Sequence, residues 1–334
     1  MSDAIESVRS VASKTGFSGV IRIDRADASP FVEAFGFAHR GFEVPNTVDT
    51  QFAVASAGKG FTALVVVSLI DEGVLSLSTT ARSVLGGDLP LIADDVTIEH
   101  LLGHRSGIGD YIDEDNEELS SDDYVMVSPV HELANTEAFL VELAGYPTKF
   151  KAGEKFSYCN GGFMVLALIA ERASGTPYHD LVTERVLGPA GMADTGFLRT
   201  DEPSGRMALG YLDNDGTRTN IFHLPVRGNG DGGVYTTVAD IHTFWDALFN
   251  GLIVSTEWVG EMTRLHSDDP EQEARYGLGF WLAETGPIVR LVGADAGVSF
   301  TSSHDPTSGM TWTVISNTSD GAWPLVTQFQ ETLG

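Results

Sequence analysis

Ser56 and Lys59 stand three residues apart in Ser56-Ala57-Gly58-Lys59, an S-x-x-K pattern that occurs once in a chain with only five lysines. On the first turn of a helix this spacing puts both side chains on one face, so the amine can touch the hydroxyl. A serine hydroxyl alone is a weak nucleophile. A partly desolvated lysine beside it can have its pKa lowered enough to accept or relay the proton, and a helix N-terminus offers a backbone N–H to an oxyanion. Tyr158-Cys159-Asn160 is the only Y-x-N of the sequence and supplies a second proton carrier. A phenol held near Lys59 would have its phenolate favoured by the cation, so Tyr158 would take and return the Ser56 proton. The Asn160 amide would hydrogen-bond substrate or hold Lys59. The plainer reading of the same residues is a core tyrosine and a helix-capping asparagine.

Positioning such residues requires particular elements. Residues 57–73 carry Phe61, Leu64, Val65 and Leu69 at helical spacing and stop at Gly73, so a buried helix begins near Ser56. Another helix follows Tyr158 over 160–174. The N-terminal segment 3–14 predicts a helix, and the alternation in 18–23 predicts a strand, with a second strand at 31–38 after the turn Asp27-Ala28-Ser29-Pro30. Helical stretches at 97–103, 135–145 and 178–187 dominate the middle of the chain, with little alternation until 207–212. Helices at 238–250 and 256–265 then give way to strands at 276–284, 288–293, 298–304 and 309–317, and a closing helix at 322–333. Strands at both ends of the sequence must share a sheet. The expected architecture is α/β (α+β): an antiparallel sheet domain built from residues 1–75 and 226–334, a mostly helical domain from 76–225, and an active-site cleft between them.

The 334 residues are 42% hydrophobic and 20% charged, as in a soluble globular protein large enough to bury a sizeable core. The net charge of -27 repels phosphate backbones and anionic lipid, which argues against nucleic-acid and membrane partners. No apolar run approaches the roughly 20 residues of a membrane span. Cys159 is the single cysteine, and the first residues are acidic where a secretory signal would be basic and then apolar, so a cytoplasmic enzyme is the expectation. No cofactor is expected, and the oligomeric state is left open.

Taken together these segments resemble the serine β-lactamase, penicillin-binding protein and family VIII carboxylesterase superfamily, especially its class C-like members. Phe52-Ala-Val-Ala-Ser-Ala-Gly-Lys-Gly-Phe-Thr-Ala63 looks like the family's nucleophile segment, and Leu101-Leu-Gly-His-Arg-Ser-Gly-Ile108 resembles its L-L-x-H-x-S-G-L loop. Tyr158-Cys-Asn-Gly-Gly-Phe163, Leu187-Gly-Pro-Ala-Gly-Met-Ala-Asp-Thr195, Gly232-Gly-Val-Tyr-Thr-Thr237 and Tyr276-Gly-Leu-Gly-Phe280 continue the likeness, which covers roughly residues 15 to 320. The resemblance implies a β-lactamase-like sandwich with Ser56, Lys59 and Tyr158 as its catalytic residues.

One departure bears on specificity. The family usually carries K-T-G or H-x-G on a strand lining the cleft, and the matching stretch is Gly293-Ala-Asp-Ala-Gly-Val-Ser-Phe300. Aligned through Phe300 with a one-residue deletion, Ala294 takes the place of the cation, Asp295 follows, Ala296 replaces the glycine, and Gly297 would offer the second oxyanion N–H. A neutral Ala294 beside an acidic Asp295 is expected to weaken recognition of a substrate carboxylate, leaving Arg290 or His266 as candidate substitutes. A small-molecule ester without a carboxylate suits such a cleft better.

Other signals are weaker. His100 and His104 lie four apart but lack the glutamate of H-E-x-x-H. The acidic stretch 110–123 has Glu118 where a calcium loop needs its turning glycine, and reads as a solvated loop in lid position. The glycine-rich Gly228-Asn-Gly-Asp-Gly-Gly233 matches no nucleotide fingerprint, and no serine meets G-x-S-x-G. The expected function is therefore a serine carboxylesterase working through an acyl-enzyme. The alternatives are an amide hydrolase of the same superfamily (D-aminopeptidase, D-Ala-D-Ala peptidase or weak β-lactamase) and, more remotely, a non-catalytic ligand-binding sensor domain.

Overall fold

The computed structural model describes residues 2–26, 28–114, 124–271 and 274–333. Eight antiparallel strands form one sheet in the order Ala28–Phe35, Gly19–Arg25, Met310–Ser316, Val298–Asp305, Val289–Asp295, Trp281–Leu282, Ala274–Tyr276 and Ser267–Asp269. Gly19–Arg25 pairs with Met310–Ser316 in the register Ile21↔Val314, so the two ends of the chain meet in the middle of the sheet, as the strand pattern requires.

Successive strand residues point to opposite faces, and here both faces are covered. Ile21, Trp312 and Val314 join Val8, Ala12, Leu325 and Phe329 from the terminal helices Ser2–Thr15 and Trp323–Leu333. Their neighbours Val20, Ile315 and Phe300 face the larger core on the other side, with Phe61, Leu64, Phe244 and Trp245. The helix Lys59–Asp71 lies in that core, and Lys59 through Leu69 are all buried. A helix apolar on every side has no solvent face to present, which is why it sits inside the molecule. It packs against the helix Asn160–Ser174, itself buried from Asn160 to Ala170.

Two glycines let the sheet reach the start of the Lys59 helix. A Cβ on Gly293 would come within 2.0 Å of the Val54 carbonyl oxygen, and one on Gly60 within 2.6 Å of Leu291 Cδ2. Any larger residue at 293 would push the strand end away from the Val54–Ser56 turn.

Two expectations need correction, and one strand lies outside the expected set. The single strand at 276–284 is two short strands joined by a turn, Tyr276 pairing with Trp281, because Gly279 adopts φ +89° where the chain folds back against Ala63. The edge strand Ser267–Asp269 has no alternating pattern and forms only by pairing with Ala274–Tyr276. The alternation at 207–212 makes isolated bridges, Met207 to Gln51 and Tyr211 to Thr318, rather than a strand. The turn residue Asp27 lies outside the described residues.

Candidate active site

Ser56 sits on a 3₁₀ turn, Ala55–Gly58, that runs directly into the Lys59 helix. With about three residues per turn, a 3₁₀ segment brings positions three apart into line, so Ser56 and Lys59 face each other more directly than on an α-helix. The turn starts sharply: Ala55 has φ +45°, in the left-handed region that costs a non-glycine residue of order 1 kcal/mol or more. The Gly-rich loop 228–233 presses against it. A Cβ on Gly232 would lie 2.5 Å from the Ala55 carbonyl oxygen, so the glycines of that loop serve close backbone approach.

Lys59 is 1% exposed, and its amine has three oxygen partners. Nζ lies 2.7 Å from Asn160 Oδ1, 2.7 Å from the Asp231 carbonyl oxygen and 2.9 Å from Ser56 Oγ. Burial lowers its pKa, against the opposing pull of Asp231, Glu114, Asp110 and Asp295. Two of the three partners are pure acceptors and take two N–H groups. A neutral amine held this way turns its lone pair to the serine hydroxyl.

Asn160 holds the lysine rather than standing free. Its Nδ2 donates to Glu114 Oε1 at 2.9 Å and to the Ile112 carbonyl at 3.2 Å, which fixes the direction of Oδ1. The backbone N–H groups of Asn160 and Gly161 donate to Asp110 at 2.6 and 2.8 Å. Asp110 is therefore a buried acceptor at the head of the Asn160 helix, not part of a solvated loop as its acidic neighbourhood suggests. Burial still raises its pKa to about 6. Within the acidic stretch, residues 115–123 lie outside the described residues.

Tyr158 is half-buried, hydrogen-bonds Ser56 and stacks on Trp281 with ring centroids 5.7 Å apart. Lys59 Nζ stands 5.0 Å from the centre of its ring. The expected phenolate is not favoured. Burial, together with Glu114, Asp231 and Asp110, pushes the phenol well above its usual value, and the Ser56 hydrogen bond only partly offsets this. Tyr158 is a neutral phenol at rest.

Ser56 opens onto a cleft of about 280 Å³. Tyr111, Tyr124, Met126, Leu198, Leu224 and Tyr235 supply apolar walls, and Asp113, Glu114, Asp231 and Asp295 supply acidic groups. No lysine or arginine lines it among the described residues. The Asp231 carboxylate accepts from the Tyr111 hydroxyl while its carbonyl serves Lys59, so this residue ties the cleft wall to the amine. Sequence reasoning missed that role, although the glycines on either side of Asp231 mark a loop packed tightly against another backbone.

The strand end behaves only partly as expected. Ala294 and Asp295 line the cleft. Asp295 pairs with Val298, which makes Ala296 and Gly297 the two-residue turn of a hairpin. The Ala296 N–H donates to Asp295 Oδ1, and the Gly297 N–H donates to Ser319 Oγ at 2.9 Å. Neither turn residue lines the cleft, so the assignment of Gly297 as oxyanion donor is wrong by the residues the alignment gap displaced. Arg290 and His266 do not line it either; Arg290 pairs with Trp281 and Ser303 inside the sheet, and His266 contacts Glu261. His100 accepts the Thr97 N–H and His104 the Cys159 N–H, each with its Nδ1.

Burial raises the Asp295 pKa to about 7, with Asp231 and Glu114 adding to the rise. A carboxyl whose folded pKa exceeds its unfolded value of 3.8 contributes fully below pH 4, and that contribution is lost as pH climbs through about 7. Asp295→Asn keeps the acceptor for the Ala296 N–H and removes the charge. Thermal unfolding should then show the variant more stable than the parent at pH 8, by about 1–3 kcal/mol, with no gain at pH 4. Equal midpoints at both pH values would show that Asp295 stays ionised without penalty.

An antiparallel sheet between terminal helices and a larger helical layer, with a serine–lysine pair at the head of a buried helix, defines the fold class of the serine β-lactamases and penicillin-binding proteins. The chain belongs to the Beta-lactamase family, whose profile matches residues 6–331. The penicillin-binding protein structure from Bacillus halodurans superposes with a TM-score of 0.89 at 32% identity, covering 97% of this chain and 99% of that one. The putative penicillin-binding protein PbpX of Bacillus subtilis is 28% identical over 84% of this chain and 66% of its own length. Esterase EstB of Burkholderia gladioli is 34% identical over 54% of this chain and 46% of its own. The chain thus spans less than two thirds of these two curated relatives. Serine hydrolases make up the family, esterases and D-aminopeptidases among them.

Proposed function

We propose that this chain is a carboxylesterase that works through an acyl-enzyme on Ser56. The observation that carries the reading is the set of three oxygens around the Lys59 amine. With Asn160 Oδ1 and the Asp231 carbonyl each taking an N–H, the desolvated amine has its lone pair left for the Ser56 proton. Oγ attacks the ester carbonyl. The neutral Tyr158 phenol, bonded to Ser56, protonates the departing alkoxide and is reprotonated through Lys59. Water then repeats the sequence on the acyl-enzyme. The Ser56 N–H faces the developing oxyanion, and a second donor would come from the strand end at Ala294 and Asp295, which shares the cleft with Ser56.

The ester reading is supported by the charge of the cleft. Asp113 is paired with Lys149 at 2.8 Å, but Glu114, Asp231 and Asp295, with no Lys or Arg among the described lining residues, oppose a substrate that bears its own carboxylate, as β-lactams and D-Ala-D-Ala peptides do. The same acidic wall tolerates a substrate ammonium, and this favours the amidase alternative for amino-acid amides. A panel of nitrophenyl esters, a chromogenic cephalosporin and D-amino-acid anilides separates these. Ester kcat/KM is expected to exceed that for the cephalosporin by about 100-fold or more, a margin of at least about 2.7 kcal/mol. Faster anilide turnover would replace the esterase by an amidase, and faster cephalosporin turnover would sink both.

A further inference from the structure

His104 belongs to a loop outside the Ser56, Lys59 and Tyr158 set, yet it holds the tyrosine segment on both sides. Its carbonyl accepts the Ser157 N–H at 2.9 Å, and its Nδ1 accepts the Cys159 N–H at 3.0 Å. The residue between them is Tyr158. The imidazole lies against the phenol ring with centroids 4.3 Å apart and planes inclined at 31°, and it also touches Phe163 and Tyr276. It is 1% exposed, and its Nε2 has no hydrogen-bond partner among the described residues. Burial and the nearby Lys59 keep the ring neutral. With Nδ1 accepting, the proton is on Nε2.

Two features make this more than core packing. The His104 backbone has φ +54°, in the left-handed region that few non-glycine residues occupy, although histidine enters it more readily than most. A polar ring with one buried nitrogen unpartnered is a poor filler, since an apolar side chain would avoid that cost. Both costs are tolerated at the one position that offers a carbonyl and a ring nitrogen to the two N–H groups flanking Tyr158.

We propose that His104 is a positioning residue: by clamping the backbone on either side of Tyr158 and packing against its ring, it sets the phenol at Ser56. The proposal rests on the acyl-enzyme reading, in which Tyr158 carries a proton. Burial keeps the imidazole neutral, and only the neutral ring has an Nδ1 lone pair for the Cys159 N–H.

Position-specific amides test it. In His104→Asn the amide oxygen falls where Nδ1 was, and asparagine accepts the left-handed backbone, whereas in His104→Gln the oxygen falls toward Nε2. Esterase kcat is expected within about threefold of the parent for His104→Asn and reduced about 10- to 100-fold for His104→Gln, with KM changed less than threefold in both. In a Tyr158→Phe background the same His104→Gln change should lower acylation, followed by mass spectrometry under single turnover, by less than twofold. Equal losses in Asn and Gln variants, or an undiminished effect of His104→Gln without the phenol, would overturn the clamp. Full activity in Tyr158→Phe alone would instead remove the role of Tyr158, and with it the reading on which the clamp rests.

Discussion

Ser56→Ala is expected to lower ester turnover by about 10⁴-fold or more while leaving the fold intact. Covalent catalysis has no substitute nucleophile here. The next hydroxyl bonded to the site, Tyr158, is a neutral phenol far above its usual pKa, and the Lys59 amine is enclosed by Asn160 and Asp231. Loss of Oγ removes one of three partners of that amine and leaves the two carbonyls in place, so stability should change by no more than about 1 kcal/mol. Incubation with a nitrophenyl phosphonate followed by intact-mass measurement gives the direct check: one adduct on the parent, none on the variant. An adduct on Ser56→Ala, or turnover within tenfold of the parent, would place the nucleophile elsewhere.

Lys59→Met should cost about 10³-fold in kcat, in the middle of the range for losing a general base. Methionine keeps the apolar stem in the core and deletes the amine. Asn160 Oδ1 and the Asp231 carbonyl then lose a donor in a buried site, which destabilises the fold by about 1–3 kcal/mol. The pH profile separates base loss from simple damage. Desolvation lowers the lysine pKa below its ordinary 10.5, and the attacking form needs the neutral amine, so the parent's kcat/KM should rise with pH through a limb lying below that value. Lys59→Met should lack the limb across the same range. A variant that keeps both the limb and the rate would remove Lys59 from the chemistry.

The serine–lysine spacing was legible because it is local. Ser56 and Lys59 are three residues apart, and the apolar run from Phe61 to Leu69 demands a buried helix behind them. The strands were readable for a similar reason: alternation at 18–23 and the β-branched and aromatic residues gathered at 298–304 and 309–317 favour extended chain, and Ile21 and Val314 pair in the sheet. Where the chain turns on single residues, pattern says little. Gly279 splits one expected strand, and Asp295 and Val298 pair to make Ala296-Gly297 a hairpin turn, so the predicted oxyanion donor at Gly297 bonds Ser319 instead.

Charge state was legible in neither residue type nor motif. A cation near Tyr158 suggests an acidic phenol, but burial, with Glu114, Asp231 and Asp110 around it, holds the phenol protonated. Asp110 reads as solvated from its acidic neighbours and is in fact the buried acceptor for the Asn160 helix. Desolvation depends on everything that packs around a group, and most of that is remote in sequence.

By itself the sequence determined the family, the sheet assembled from both ends of the chain, and the serine–lysine pair, because periodicity and short spacing act over a few residues. Only the tertiary structure decided what surrounds the Lys59 amine: the carbonyl of Asp231 lies 172 residues from it and the amide of Asn160 lies 101 residues away. An amine's proton affinity and orientation are set by its acceptors and by the solvent it lacks, and both come from segments that meet only when the chain is folded.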